Sequence, residues 1–153
     1  MTLDDSTAIA LFEHSPWIEA RADARPSSGD RHADLMAVVA EATPEERLAL
    51  IRAHPELAGK AAIDRTLTEA SATEQASAGL DRLALEEFAA FHALNAAYRE
   101  RFGFPFIICV RLTDKAGILA AMRIRLTHDR ETEIAAALAE IGRIVRLRLE
   151  AQA

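Results

Sequence analysis

The stretch DRLALEEFAAFHALNAAYRERF, residues 81–102, runs straight into GFPFIICVR, residues 103–111, and the contrast between the two decides the fold. In the first, Leu85, Phe88, Phe91, Leu94 and Tyr98 recur at steps of three or four, the spacing that lines one face of an α-helix. Gly103 supplies the stop, because glycine enters the left-handed conformation that ends a helix without a Cβ penalty. In the second, Pro105 drives Phe104 out of the helical region, and the β-branched residues that follow favour an extended path. The expectation is a long amphipathic helix from Asp81 to about Phe102, then one short extended segment over residues 104–111.

Outward from this stretch the helical pattern continues. A last helix from about Arg130 carries the stripe Ile134, Leu138, Ile141, Val145 and Leu149, which sets Arg143, Arg146 and Arg148 off its central apolar line. Two helix starts are marked. Ser15-Pro16-Trp17 reads as a cap with proline at the first helical position, and Thr43-Pro44-Glu45-Glu46 adds the reciprocal glutamate of a capping box. Between them Arg25-Pro26-Ser27-Ser28-Gly29-Asp30 reads as a surface loop. The alternation of an extensive sheet is nearly absent, so the chain reads as all-α: a single compact multi-helix domain over residues 1–153, interrupted by one extended segment.

That segment raises an accounting question. A lone extended run buried among helices has no neighbouring strand, so its amides and carbonyls must be met by side chains, water or a ligand. Either the backbone from Phe106 to Val110 lines a pocket and bonds a polar substrate, or it is a buried connector satisfied by neighbouring helix ends.

Composition excludes several function classes. With 153 residues, half of them hydrophobic, the chain is long enough for one real core. Its formal net charge of −6 argues against sequence-independent attraction to nucleic acid or anionic lipid. No apolar run is long enough to span a bilayer, and Met1-Thr2-Leu3-Asp4-Asp5 shows no export signal. A lone cysteine, Cys109, fits a reducing compartment, and Glu150-Ala151-Gln152-Ala153 is not a peroxisomal address, so the expected location is cytoplasmic.

Chemistry concentrates between residues 54 and 75. His54-Pro55-Glu56-Leu57-Ala58-Gly59-Lys60 is followed by Ser71-Ala72-Thr73-Glu74-Gln75, which together offer an imidazole, carboxyls, a hydroxyl and an amide. Such a set can move a proton and hold a small polar molecule without metal or cofactor. Plainer readings stand beside this one. His54 precedes a proline and belongs at a helix C-terminus, where a histidine interacts well with the last carbonyls. Ser71 and Glu74 have the spacing of a capping box, although a capped helix N-terminus can itself help to build an anion site.

Other signals are weaker. The five histidines form no i, i+4 pair and no HExxH, and one cysteine cannot complete a zinc set, so no metal is assigned. Cys109 in its apolar run fits an inert thiol better than a nucleophile. Neither a phosphate loop nor a nucleophile elbow is present.

In this order and spacing, HPELAGK (54–60), SATEQASAGLD (71–81), FHALNAAYRERFGFPFIICVR (91–111) and RIVRLRL (143–149) resemble the 2-oxo-4-hydroxy-4-carboxy-5-ureidoimidazoline (OHCU) decarboxylase family, from about Ser15 to Leu149. The resemblance implies an all-helical, cofactor-free homodimer that converts OHCU to (S)-allantoin with loss of carbon dioxide during urate breakdown. It implies that His54 is the essential proton-transfer residue, that Pro55 shapes the pocket, and that Glu74 is the partner carboxylate of His54. Substrate-binding positions would be Ser71, Ala72, Thr73, Glu74 and Gln75, the backbone of Phe106, Ile107, Ile108, Cys109 and Val110, and Arg148, with Arg143 and Arg146 as alternatives to the last. Two departures are visible: His128 stands where similar sequences commonly carry asparagine, and the peroxisomal signal of some eukaryotic members is missing.

The chemistry asks for these residue types. Loss of carbon dioxide leaves electrons on the ring carbon, where the adjacent imine-like system delocalises them if hydrogen-bond donors stabilise the developing charge. His54 could deprotonate the 4-hydroxyl or deliver a proton to one face, giving a single enantiomer. A tight salt bridge from Arg148 to the departing carboxylate would favour the ground state, so an orienting contact suits it better. Two other readings remain open here: a cofactor-free enzyme of this fold acting on another small ureido or carboxy acid, and a non-catalytic helical module for ligand binding or dimerisation.

Overall fold

The structure, a computed structural model, describes residues 11–12, 14–58 and 68–152; the leader-free start expected at residues 1–5 and the Gly59-Lys60 end of the first motif lie outside them. Seven helices carry the described chain: α1 (Trp17–Asp23), α2 (Arg31–Glu41), α3 (Pro44–Ala53), α4 (Glu69–Ser77), α5 (Leu85–Phe102), α6 (Lys115–Arg125) and α7 (Arg130–Gln152). No strand occurs among the described residues, and one 3-10 turn, Val110–Leu112, interrupts the non-helical run before α6. The all-α expectation holds.

The capping box of α3 forms as its sequence requires. Thr43 Oγ1 accepts the Glu46 amide at 3.1 Å, and Glu46 Oε1 accepts the Thr43 amide at 3.0 Å. The loop before α2 ends on Asp30, whose carboxylate accepts the Ala33 amide at 3.1 Å. The Ser15 start is corrected. Helix α1 begins at Trp17 with Pro16 at the cap and no side-chain cap bond, because the Ser15 amide turns back to the Phe12 carbonyl at 2.9 Å.

Helix α5 also departs from expectation at its start. It begins at Leu85, since Gly79 (φ 83°) and the Leu80 amide bonded to the Gln75 carbonyl first close α4, and Glu87 then accepts the Ala84 amide at 2.8 Å to open the new helix. Its expected stripe holds only in part. Leu85 is 83% exposed and Phe88 37%, while the buried line is Phe91, Asn95, Tyr98 and Phe102. The first turns of α5 project beyond the core, so spacing alone misplaced their apolar face. Gly103 ends the helix with φ 80°, its amide returning to the Arg99 carbonyl at 2.8 Å.

Helix α7 is the spine. Helices α2 and α3 pack on it, α1 packs on α2, and α5 packs on α6. Its buried face includes Glu133, Ala137, Ile141, Val145 and Arg148. Arg148 is therefore not off the apolar line as its spacing suggested: it lies three residues after Val145 and four after Ile144, on the inward face. Arg143 and Arg146 are exposed.

The extended segment is pinned by its aromatic side chains and by charged groups from α6 and α7. Phe104 and Phe106 set their rings edge-on against Tyr98, with centroids 5.9 and 5.3 Å away. Each fully buried ring contributes about 2–3 kcal/mol of apolar burial. Arg125 stacks 4.4 Å above Phe106, donates Nη1 to the Ile107 carbonyl at 2.7 Å, and gives Nε to Glu133 at 2.8 Å. Glu133, fully buried, also accepts the Tyr98 hydroxyl at 2.5 Å and faces His128 Nδ1 at 2.9 Å. Burial, reinforced by the Glu133 bond, pushes the Tyr98 phenol well above its usual range and keeps it a donor. Glu140 of α7 accepts the Cys109 amide at 2.8 Å. Side chains thus meet two of the backbone groups that a lone extended run leaves without a strand.

Candidate active site

His54 is the C-cap of α3, with extended backbone (ψ 135°) and its amide bonded to the Ile51 carbonyl at 3.2 Å. Pro55 enforces this exit, and the ring Nδ1 lies 3.5 Å from the Pro55 carbonyl. The loop that follows is tied to the helices on either side. Gln75 Oε1 accepts the Ala58 amide at 3.0 Å, Gln75 Nε2 reaches the Glu56 carbonyl at 3.4 Å, and Asn95 Nδ2 holds the Leu57 carbonyl at 2.8 Å. Glu56 also pairs with Arg99 of α5. These ties hold Ala58 in the left-handed region at φ 51°, an unusual conformation for a residue with a Cβ.

The capping box expected from Ser71 and Glu74 does not form. Thr68 caps α4 by accepting the Ser71 amide at 3.2 Å, which places Ser71 in the third helical position. The same three-residue spacing serves a helix face as well as a cap, and here Ser71, Glu74 and Gln75 share the buried face. Ala72 and Thr73 point the other way and are exposed, so the expected run of five contacts reduces to three inward side chains.

Glu74 meets a different partner from the one expected. Arg148 grips it bidentately, Nε to Oε2 at 2.8 Å and Nη2 to Oε1 at 2.7 Å, and reaches Ser71 Oγ at 3.4 Å and the Leu11 carbonyl at 3.2 Å. No hydrogen bond between Glu74 and His54 occurs among the described residues. The other terminal arginines lead elsewhere, Arg143 to Glu140 and Arg146 to His32 at 3.3 Å.

These elements close around a cleft of about 350 Å³, walled by His54, Pro55 and Leu57 on one side, Ser71, Glu74 and Gln75 on another, and Ile108 to Arg111 with Ile144 and Leu147 on the rest. Phe106 and Ile107 are buried behind this wall and do not line it. Among the described residues neither the amide nor the carbonyl of Ile108 takes part in a hydrogen bond. Burial, and then the nearby Glu140 charge, pushes the Cys109 thiol up, which leaves it a neutral wall group and not a nucleophile. A smaller, mostly apolar cavity of about 250 Å³ adjoins behind His54, with Arg148 in its wall. Among the described residues no cluster of three or more acidic, histidine or cysteine side chains could hold a metal ion, and no helix is long and apolar enough to cross a membrane.

Leu57, Arg111, Ile144 and Leu147 were not singled out from sequence. Ile144 and Leu147 could have been, since they share the inward spacing of Arg148 on α7. Arg111 carried a signal too, as the charge that ends an apolar run.

An all-helical domain that gathers an imidazole, a hydroxyl, a carboxylate and the backbone of Ile108 to Val110 around one small cleft belongs to the class of small-molecule enzymes. The chain matches the profile of the OHCU decarboxylase family over residues 5–150, and it belongs to that family. It is 41% identical to the 2-oxo-4-hydroxy-4-carboxy-5-ureidoimidazoline decarboxylase of Haloferax volcanii, across 96% of this chain and 89% of that one. With the uric acid degradation bifunctional protein of Bacillus subtilis it shares 44% identity, over 97% of this chain and 30% of that longer protein. Among solved structures, an OHCU decarboxylase crystallised in the presence of (S)-allantoin superposes with a TM-score of 0.76 over 95% of this chain and 96% of the other, and at 19% identity that likeness concerns the fold. An (S)-allantoin synthase matches with a TM-score of 0.69 and 29% identity, covering 95% of this chain and 48% of that one.

Proposed function

We propose that this protein is a cofactor-independent carboxy-lyase that decarboxylates OHCU to (S)-allantoin in urate degradation, with one domain spanning residues 1–153. The observation that carries the reading is the meeting of His54, Ser71 and the Ile108 backbone in one cleft of a chain that belongs to this family. His54 moves the proton: it deprotonates the 4-hydroxyl or protonates one face of the carbanion left by carbon dioxide, and the enclosing walls restrict that face. Ser71 and the Ile108 amide donate to the ring and ureido oxygens as negative charge develops. Gln75 supports this arrangement by holding the loop after His54 against α4, and Pro55 sets the exit angle of His54.

Glu74 takes a modified role. Its carboxylate, held bidentately by Arg148, forms a charge-compensated pair in the cleft wall, and Arg148 orients Glu74 and Ser71. A homodimer in the cytoplasm completes the reading; the usual assembly of the family supports the first, and the free thiol of Cys109 suits a reducing compartment.

The test is to generate OHCU from urate with the two upstream enzymes and follow optical activity as this protein is added. Accelerated appearance of a single allantoin enantiomer is expected. Racemic allantoin forming at the uncatalysed rate would end the reading.

A further inference from the structure

We infer that Arg111 recruits the substrate carboxylate at the mouth of the cleft, a capture role distinct from that of Arg148 and one that rests on the decarboxylase reading above. Two arginines stand near the site, and the structure uses them differently. Arg148 is buried, gripped by Glu74 in a pair whose charges cancel, and it lines the adjoining cavity and not the cleft itself. Arg111 lines the cleft, is exposed, and its guanidinium makes no ion pair or hydrogen bond with any described residue. Its position follows from the fold: it is the second residue of the Val110–Leu112 turn, immediately after the wall residues Ile108 to Val110. Its charge acts inside the cleft, where it opposes the upward push on the Cys109 thiol.

Substrate and product differ in one charge. OHCU carries a carboxylate, and allantoin, having lost it, is neutral. A cation at the solvent-facing rim attracts the first and has no such hold on the second, so it favours entry of substrate and departure of product. Its exposure matters as well. A desolvated salt bridge held to the departing group in the bound complex would stabilise the ground state and raise the barrier, whereas an exposed cation at the rim acts on the approaching substrate and need not hold the carboxylate at the reacting position. The prediction is a change in KM with little change in kcat.

Steady-state kinetics of Arg111→Gln and Arg111→Lys on OHCU generated in situ test this. The glutamine variant should raise KM roughly two- to fivefold, the scale of one screened ion pair, and hold kcat near its wild-type value. The lysine variant should recover most of the wild-type KM. Added sodium chloride should raise the wild-type KM and leave that of the glutamine variant nearly unchanged, and inhibition by neutral (S)-allantoin should be the same in both. A wild-type KM in the glutamine variant, or a loss confined to kcat, would overturn the assignment and leave the decarboxylase reading standing. An inactive wild-type protein would instead remove that reading and this inference together.

Discussion

At His54 the chain must do two things at once, end α3 and furnish a cleft wall, and Pro55 makes the two compatible by forcing the extended exit. The bond that closes α3 here comes from the His54 backbone amide to the Ile51 carbonyl, and truncating the side chain leaves it in place. Glu74 is the opposite case. Its removal takes away the bidentate partner of an arginine that is 5% exposed, and breaking such a buried pair costs about 3 kcal/mol or more. His54→Ala should therefore lower kcat by about 10²- to 10⁴-fold with an almost unchanged melting temperature, while Glu74→Ala should lose activity and stability together. Parallel activity assays and thermal melts check the contrast, and equal loss of stability in both variants would contradict it. Sequence made both residues visible, because each sits in a motif with its own local meaning. It did not make their partners visible: Arg148 is 74 positions from Glu74, and no local rule joins them.

At the scale of elements, the segment from Phe104 to Val110 is where backbone need and side-chain supply meet. Glu140 takes up the Cys109 amide, and in its absence a buried donor stays unpaired beside the cleft wall, a loss of about 1–3 kcal/mol. Glu140→Gln keeps a carbonyl oxygen in place. It should retain most of the stability and activity that Glu140→Ala loses, as denaturant titration and OHCU turnover would show.

The packing of α1 on α2 offers a second prediction, on pH. Both carboxyl oxygens of Glu19 are buried and have no hydrogen-bond partner among the described residues, and burial raises its pKa to about 7, a rise that Arg31 moderates and Asp23 reinforces. The folded state therefore holds a proton that the unfolded state releases above pH 4.5, and between pH 4.5 and 7 stability falls as pH rises. Glu19→Gln should raise the melting temperature by several degrees at pH 8 and leave it nearly unchanged at pH 4.5, which calorimetry at the two pH values can read. The helices themselves were legible because long periodic runs report their own geometry. Their starts at Ser15 and Asp81 were not, since a turn closed by a neighbouring carbonyl outranks a single capping residue.

Across the whole molecule, α7 joins what the other elements supply. Its 23 residues extend for roughly 35 Å, and along them it pairs Glu133 with the α6 arginine that holds the extended segment, gives Glu140 to that segment, lines the cleft with Ile144 and Leu147, and fastens α4 through Arg148. This arrangement explains why the fold class could be read from sequence while the assembly of the site could not. Periodicity is a property of each helix alone; the cleft arises only when one helix brings together groups from α3, α4 and the segment before α6. The same arrangement leaves no part of the site able to persist once α7 departs. Loss of activity and loss of helical circular dichroism in urea should therefore share one midpoint, with a single slope of about 1–3 kcal/mol per molar urea. Activity vanishing well below the helical transition would show that the cleft opens while α7 stays docked, and would transfer the organising role from that helix to the loop after His54.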